Sequence, residues 1–330
     1  MLALALAACG GRSSDNGNGG SGAEAANPSP GSGQNAEQSG EQSDGQDAGR
    51  TAGPRTYTDD LGVAVELPDN PQRVVVATWH YPGHLLSLGI TPVGVFELAH
   101  DSEYIGEQLK DAVLLTQESV EETLALQPDL IITDTTNPNV EQLRKIAPTV
   151  AFDIGARKNR LETLVDIGEI VGKKGEAEQQ IKAWEERLQE AKKRFDAEFD
   201  PEATISVIGD YQTEFYAYGP NFGRGTEVLF TYLGLKYPGK LAAGLEASGE
   251  RYFQLSEEVI PEFVGDYVFI AGETPGSPTI LDDPLYADLA PVKNGRVYYI
   301  YEPSFYFSDP ISLNGQLAFF ERILLDGAKE

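Results

Sequence analysis

The chain has 330 residues, of which 41% are hydrophobic, and its 52 acidic and 25 basic residues give it a formal charge of −27. This length allows one large domain or two of medium size. Because phosphate binding requires clustered Lys and Arg, the acidic balance argues against a nucleic-acid partner. No apolar run reaches the ~18–20 residues that a membrane-spanning helix needs, so we expect no transmembrane helix.

The first residues combine an apolar run with small residues beside the only cysteine. Residues 2–8 are apolar, and their last three residues continue into Cys9 and Gly10 to give Leu-Ala-Ala-Cys-Gly. This pattern resembles a bacterial lipobox. The resemblance implies that Cys9 is lipidated, that residues 1–9 are the remnant of a lipoprotein signal, and that the protein is lipid-anchored in the cell membrane, facing outside. No Lys or Arg precedes the run, which leaves open whether Met1 is the natural start.

Residues 10–56 are dominated by small and polar residues, mainly Gly, Ser, Asn, Gln, Asp and Glu. Such a composition buries too little apolar surface to offset the chain entropy lost on folding, so we predict a disordered tether. A Gly-rich coil of this length reaches ~35–40 Å on average. A domain held by it can swivel over a membrane partner.

From residue 57 onward, short β-branched runs alternate with helical periodicity, which is typical of α/β layers with largely parallel sheets. The segment 57–158 therefore predicts an N-terminal α/β lobe. Its expected strands lie at 73–78, 92–96, 129–133 and 149–153, and its expected helices at 83–88, 120–126 and 140–146.

Residues 159–200, which we interpret as the linking helices, contain the most regular helical pattern. Apolar residues recur at steps of three and four from Ile181 to Phe199, so residues 176–199 should form one helix. At 1.5 Å per residue this helix is ~36 Å long, enough to connect two small lobes. Pro201 ends it.

The segment 201–330 repeats the alternation and predicts a C-terminal α/β lobe. Its expected strands lie at 204–208, 214–218, 267–271 and 296–301, and its expected helices at 226–233, 256–263 and 310–325. The predicted fold class is thus α/β, with two lobes of mostly parallel sheets joined by one long helix.

Six stretches resemble, in the same order, the siderophore-binding members of the class III periplasmic binding protein family. They read NPQRVVV, LLSLGITPVGV, LALQPDLII, GPNFGRG, LGLKYP and SDPISL, and they lie at 70–76, 85–95, 124–132, 219–225, 233–238 and 308–313. The resemblance implies two Rossmann-like lobes held by the long, rigid helix, with a ligand cleft between them. It also implies a monomer that captures a ferric siderophore of hydroxamate or citrate type and delivers it to an ABC permease with a cytoplasmic ATPase.

Under this resemblance the protein is not an enzyme and needs no cofactor or metal ligand, because the siderophore itself wraps the iron. A suitable cleft combines flat aromatic walls with guanidinium donors. Trp79, His80 and Tyr81 follow the first predicted strand, and the carboxyl end of a parallel strand opens toward a crevice. The other expected ligand contacts are Arg157, Tyr218, Arg224, Arg251 and Tyr306.

In the family, a glutamate on the outer face of each lobe pairs with arginines of the permease. The resemblance assigns this docking role to Glu121 in the first lobe. In the second lobe the usual acidic position holds Thr231, and Glu227, one helical turn earlier, is the expected substitute. A carboxylate near the start of a helix is also favoured by the helix dipole, which is the alternative explanation for Glu121.

Zinc and cobalamin are the alternative ligands of an ABC importer component. His80 and His84 have the spacing of metal ligands on one helical face, with His100 as a third candidate. Pro82 and Gly83 separate the first two histidines, however, and break the helical register. Cobalamin remains open because its carriers share the fold. We find no nucleophile elbow and no phosphate loop that would indicate an enzyme.

Overall fold

The computed structural model of the chain describes residues 55–156, 161–211, 214–274 and 277–327. Cys9, nearly all of the predicted tether and Arg157 therefore lie outside the described residues. Within the described ranges, no helix combines the length and the apolarity needed to cross a bilayer.

The first lobe contains a sheet of five strands, all parallel, in the order β5-β4-β3-β6-β7. Its central strands are continuous apolar runs because both faces of the sheet are covered. A short antiparallel hairpin, which the sequence pattern did not predict, precedes it. The strands are β1 (Arg55–Thr58), β2 (Ala64–Leu67), β3 (Val74–Ala77), β4 (Gly94–Phe96), β5 (Val113–Leu115), β6 (Leu130–Asp134) and β7 (Thr149–Phe152).

Short helices lie between the strands of this sheet, and one more follows its last strand. They are α1 (Pro82–Ser87), α2 (Glu97–His100), α3 (Gly106–Leu109), α4 (Val120–Ala125), α5 (Val140–Leu143) and α6 (Glu162–Ile170). The strands and helices predicted for this lobe are confirmed with boundaries shifted by at most three residues, whereas α2, α3 and β5 were not predicted. α6 lies within residues 159–200, which were predicted to form the linking helices.

The long helix α7 (Lys174–Glu198) connects the two lobes, as predicted. Ala177 near its start is buried in the core of the first lobe, Trp184 is buried in the core of the second, and Ile181 contacts both. At its start, α7 packs closely on α6, since a side chain at Gly168 would approach Ala177 Cβ to 2.7 Å. The cores of both lobes therefore pack against the same helix, α7.

The second lobe has a mixed five-stranded sheet in the order β10-β9-β8-β11-β12. β8, β11 and β12 are parallel, but β9 runs antiparallel to both of its neighbours. Residues 211–214 between β8 and β9 are too few for a parallel crossover, so these strands form a hairpin. The strands are β8 (Ile205–Asp210), β9 (Phe215–Tyr218), β10 (Tyr252–Leu255), β11 (Tyr267–Gly272) and β12 (Val297–Tyr301).

The helices of the second lobe include one of unusual geometry. The helix predicted at 226–233 forms, but as a π-helix over Glu227–Tyr232. The α-helices are α8 (Gly239–Ser248), α9 (Ile260–Phe263), α10 (Ala290–Lys293), α11 (Glu302–Phe305) and α12 (Pro310–Leu324), and 3₁₀ turns lie at Glu257–Val259, Ile280–Asp282 and Pro284–Tyr286. The predicted fold class of two α/β lobes joined by one long helix is confirmed.

A second connection between the lobes is made by the segment between α11 and α12. Phe305 is buried in the core of the second lobe, whereas Phe307 is buried in the core of the first. Asp309 caps α12 by accepting two backbone N–H groups at 3.0 Å. It also lies so close to Gly83 of α1 that a Cβ there would be 2.1 Å from its carboxylate. Only glycine fits this close approach between α1 and the start of α12.

Candidate functional site

The side chains of the candidate site lie at the carboxyl ends of strands in both lobes. Trp79 and His80 follow β3 after one intervening residue, Tyr211 comes directly after β8, and Glu302 comes directly after β12. Loops at the carboxyl edge of a parallel sheet are the usual place for ligand contacts in α/β folds. The two lobes thus contribute to one site, which we call the cleft.

Two aromatic side chains from different lobes meet in the cleft. The rings of His80 and Tyr306 stack with centroids 5.7 Å apart and an interplanar angle of 19°. Next to them, Trp79 keeps 40% of its surface exposed and rests edge-on against Phe96, with centroids 4.7 Å apart. An exposed indole on a packed support offers a flat apolar wall to a ligand.

The turn that carries Arg224 is tightly constrained. Asn221, Gly223, Arg224 and Gly225 all have positive φ, of 62°, 81°, 55° and 79°, a conformation that is uncommon for residues other than glycine. The Glu227 carboxylate stabilises the turn by accepting the Gly223 N–H with both oxygens, at 3.0 and 3.1 Å. The backbone of this turn therefore directs the Arg224 side chain.

The Arg224 guanidinium lies in an aromatic cage. Its central carbon is 5.0 Å from the ring centre of Tyr218, 5.4 Å from that of Phe222 and 5.9 Å from that of Tyr306. Rings at these distances attract a cation through their quadrupole. Because Tyr306 also stacks on His80, the cage is continuous with the contribution of the first lobe.

The guanidinium is also paired with a carboxylate. Arg224 Nη2 donates to Glu302, and the two side chains are only 15% and 10% exposed. The Tyr211 hydroxyl donates to the other oxygen of Glu302 and lies 3.2 Å from the hydroxyl of Tyr218. Two tyrosines, one arginine and one carboxylate thus form a polar network that is largely shielded from solvent.

Burial shapes the protonation of this network. It raises the pKa of the Tyr211 hydroxyl well above its usual range, and the Glu302 carboxylate adds to the rise against the opposing charge of Arg224. Burial also raises the pKa of Tyr218. For Arg224, burial acts to lower the pKa, but Glu302 and the two tyrosines outweigh it and the pKa is raised. The arginine therefore stays charged and the tyrosines stay neutral.

Four of the residues predicted to contact a ligand lie together, because His80 stacks on Tyr306 and both Tyr306 and Tyr218 lie beside the Arg224 guanidinium. Trp79, His80, Arg224 and Tyr306 line the cleft, and Tyr218 lies under the guanidinium. Arg251 is exposed at the rim, where its Nη1 donates to the backbone oxygen of residue 221 at 3.2 Å.

Tyr81 differs from this group. It is only 4% exposed and packs against Phe152, with ring centroids 5.4 Å apart, in the core of the first lobe. Its position beside His80 does not bring it into the cleft, because the start of α1 turns successive side chains in different directions. The expectation that Tyr81 contacts a ligand is corrected accordingly.

The two predicted docking carboxylates occupy different environments. Glu121 is exposed in the first turn of α4. Glu227 is 5% exposed and is engaged by the backbone of the Arg224 turn, so its burial does not fit a docking role. Thr231, at the position where the family has an acidic residue, is exposed, and its hydroxyl donates to Asn221 at 2.9 Å.

Glu302 and Tyr211 were not among the predicted site residues. Each directly follows a strand that the sequence did predict, so the rule that singled out Trp79 and His80 applied to them as well. What the sequence did not contain was the partner of each side chain. Arg224 and Glu302 are 78 positions apart, and only the folded second lobe makes them neighbours.

A cavity of about 520 Å³ opens beside the cleft at the carboxyl edge of the second sheet. Tyr211 forms part of its wall, and several carboxylates line it. Asp210 accepts the backbone N–H of residue 280 at 2.6 Å, and Asp282 caps a 3₁₀ turn. This side of the cleft is therefore acidic.

The histidines do not assemble a metal site in the part of the chain that the structure describes. Among those residues, no group of three or more His, Cys, Asp or Glu side chains is placed to hold a metal ion. His84 is buried beside Tyr81, with ring centroids 5.6 Å apart, whereas His80 stacks on Tyr306. Pro82 and Gly83 open helix α1 between them.

Comparison with known proteins identifies clear relatives. A family model described as periplasmic binding protein matches residues 74–303. The iron(3+)-hydroxamate-binding protein YxeB of Bacillus subtilis is 35% identical over 283 residues, covering 84% of this chain and 87% of that protein.

Solved structures agree in fold. A periplasmic binding protein component of a Fep/Fec-like ferrichrome ABC transporter from Bacillus subtilis superposes with a TM-score of 0.73 at 33% identity, covering 81% of this chain and 99% of that one. FhuD2 from Staphylococcus aureus with bound ferrioxamine B gives a TM-score of 0.71 at 27% identity, covering 78% and 100%.

Proposed function

Because the chain belongs to the periplasmic binding protein family, we propose that it captures a ferric hydroxamate siderophore in the cleft between its lobes. The observation that carries this proposal is the Arg224 guanidinium held among Tyr218, Phe222 and Tyr306. A ferric hydroxamate presents oxygen acceptors around the metal and apolar linkers between them. The guanidinium donates to the oxygens, and the exposed indole of Trp79 offers an apolar face to the linkers.

The similar proteins support a siderophore over the zinc and cobalamin alternatives. YxeB is named for iron(3+)-hydroxamate, one similar structure belongs to a ferrichrome transporter, and another holds ferrioxamine B. Within the siderophores, the cleft favours hydroxamates over citrate, since the caged Arg224 guanidinium is already paired with Glu302. The role is binding rather than catalysis.

The similarity to transporter components also supports a role in delivering the ligand. A similar structure is the binding component of an ABC transporter, and we infer that this chain passes its ligand to an ABC permease driven by a cytoplasmic ATPase. Glu121, exposed at the start of α4, is the residue we assign to docking on the permease. A charged side chain at the rim of an interface sets orientation and encounter rate.

We further propose that the chain acts as a monomer tethered to the outer face of the cell membrane by a lipid on Cys9. The lipobox-like sequence before Cys9 and the polar residues 10–56 support this arrangement.

The test is a titration of the purified full chain carrying Cys9→Ser, which keeps it free of lipid, with ferrichrome, ferrioxamine B, ferric citrate, cobalamin and Zn²⁺. Calorimetry should detect saturable binding of the two hydroxamates and none of cobalamin or Zn²⁺. Binding of neither hydroxamate would exclude the proposal. Tryptophan fluorescence locates the site, because Trp79→Phe should remove most of the ligand-induced quenching while Trp184→Phe, in the core, should not.

A further inference from the structure

We propose that Glu302 sets the charge selectivity of the cleft. By neutralising Arg224, its carboxylate makes the cleft accept neutral and cationic ferric hydroxamates and discriminate against anionic ferric complexes. This inference rests on the proposed function and names a residue whose role is to reject ligands rather than to hold them. Specificity of this kind requires a repulsive element as well as an attractive one.

The hydrogen bonds of Glu302 fix the position of its carboxylate beside Arg224. Glu302 is the first residue of α11, directly after β12, and is 7% exposed as a whole residue. One carboxylate oxygen accepts from Arg224 Nη2 and the other from the Tyr211 hydroxyl, which lies 3.2 Å from the Tyr218 hydroxyl. With both oxygens engaged by half-buried neighbours, the carboxylate is held beside the guanidinium that a ligand would approach.

The electrostatic consequence follows from the small separation of the two charges. A ligand carboxylate that approaches the guanidinium also approaches Glu302, so attraction and repulsion nearly cancel. A neutral hydroxamate oxygen is affected much less by the carboxylate and can still accept a hydrogen bond from the remaining N–H groups of Arg224.

Further carboxylates near Glu302 add to the negative charge around Arg224. Burial raises the pKa of Tyr301, at the end of β12, and the nearby charges of Asp101, Glu103 and Glu273 raise it further. The adjoining cavity is lined by additional carboxylates. With Arg224 neutralised, the carboxyl edge of the second sheet is therefore acidic, which favours ligands with a positive charge.

Stability alone is a poor explanation for the ion pair. Removing two charges from water costs nearly as much as their attraction returns, so a buried pair contributes little net free energy to the fold. Both side chains also face the cleft network rather than a core of apolar side chains. We therefore assign the pair to ligand selection.

The experiment compares ferric citrate, which is anionic, with ferrioxamine B, which carries an ammonium group, by calorimetry on the full chain. Glu302→Gln keeps the shape and a hydrogen-bond acceptor but removes the charge. It should shift the ratio of the two affinities toward ferric citrate by about tenfold or more. Glu302→Asp, which keeps the charge, and Glu190→Gln, which removes an exposed charge on α7, should leave the ratio within about twofold of the wild-type value.

An unchanged ratio in Glu302→Gln, or an equal shift in Glu190→Gln, overturns the inference. Arg224→Gln is an independent measurement in case the first variant does not fold, because it leaves the carboxylate unneutralised and should shift the ratio in the opposite direction, toward ferrioxamine B. A wild-type chain that binds no hydroxamate refutes the proposed function itself. Wild-type binding with unchanged ratios in both variants refutes only the role of Glu302.

Discussion

The carboxylate of Glu227 accepts the backbone N–H of Gly223 with both oxygens, at 3.0 and 3.1 Å, and so holds the turn that presents Arg224 to the cleft. The turn needs this support because Arg224 itself has a φ of 55°. This left-handed conformation is unfavourable for a residue that has a side chain. The buried carboxylate belongs to a π-helix, a form found mostly where an α-helix carries a local functional feature.

This relationship predicts that Glu227→Ala lowers the free energy of unfolding by about 1–3 kcal/mol, because the Gly223 N–H loses its partner in a buried position. Affinity for ferrioxamine B should fall as well, since Arg224 is no longer held. Glu227→Gln, which keeps an acceptor oxygen, should have a smaller effect on both. Glu186→Ala on the exposed face of α7 is the control. Normal ligand affinity in a folded Glu227→Ala protein contradicts this positioning role.

Arg224→Lys should weaken hydroxamate binding by about 1–3 kcal/mol, although the charge is kept. An ammonium group has neither the planar fork that bonds two oxygens nor the flat face that rests on Tyr218 and Phe222. Arg296→Lys is the matched control, because that guanidinium also rests on a ring, 4.6 Å from the centre of Tyr267, but is not among the predicted ligand contacts, and it should change affinity much less. Calorimetry with ferrichrome measures both, and equal effects of the two substitutions argue against the caged site.

Glu121→Lys should leave the affinity for ferric hydroxamates unchanged and reduce siderophore uptake and the ATPase stimulation of the importer. The reversed charge at a docking surface repels the arginines that the glutamate would pair with. Glu190→Lys makes the same charge change on another exposed helix and should leave transport intact. Wild-type uptake by Glu121→Lys cells excludes this carboxylate from docking.

Cys9→Ser should move the protein from the membrane fraction to the soluble extracytoplasmic fraction, because the thiol is the attachment point of the proposed lipid. Detergent-phase partitioning and labelling with a fatty-acid analogue measure the loss. Cysteine occurs once in the sequence, so an internal disulfide cannot explain a change. Retention of Cys9→Ser in the membrane at the wild-type level rules out the lipid anchor.

The fold should lose stability at alkaline pH. Burial raises the pKa of Tyr299 from 10.0 to about 12 in the folded state. The folded state therefore keeps a proton that the unfolded state loses, so the free energy of unfolding falls as the pH rises from 10 through 12. Urea unfolding at a series of pH values measures the slope. Tyr299→Phe should reduce this slope, whereas Tyr252→Phe, exposed on β10, should not.

Local patterns in the sequence determined the elements of the fold. The apolar run Val74–Ala77 forms a buried strand, and the three-and-four spacing from Ile181 to Phe199 forms one helix, because backbone periodicity alone decides which side chains share a face. The antiparallel β9 was missed in its direction but not in its position, since strand direction depends on the length of the connection rather than on the strand.

Tertiary structure decided which of the candidate side chains reach the cleft and what each one contacts. His80 and Tyr81 are neighbours in sequence, yet one stacks on Tyr306 in the cleft and the other is buried in a core. Glu227 looks like a surface carboxylate in the sequence but is buried. The pairing of Arg224 with Glu302 joins residues 78 positions apart. Burial and long-range electrostatic pairing depend on how whole helices and strands pack, so local sequence patterns do not predict them.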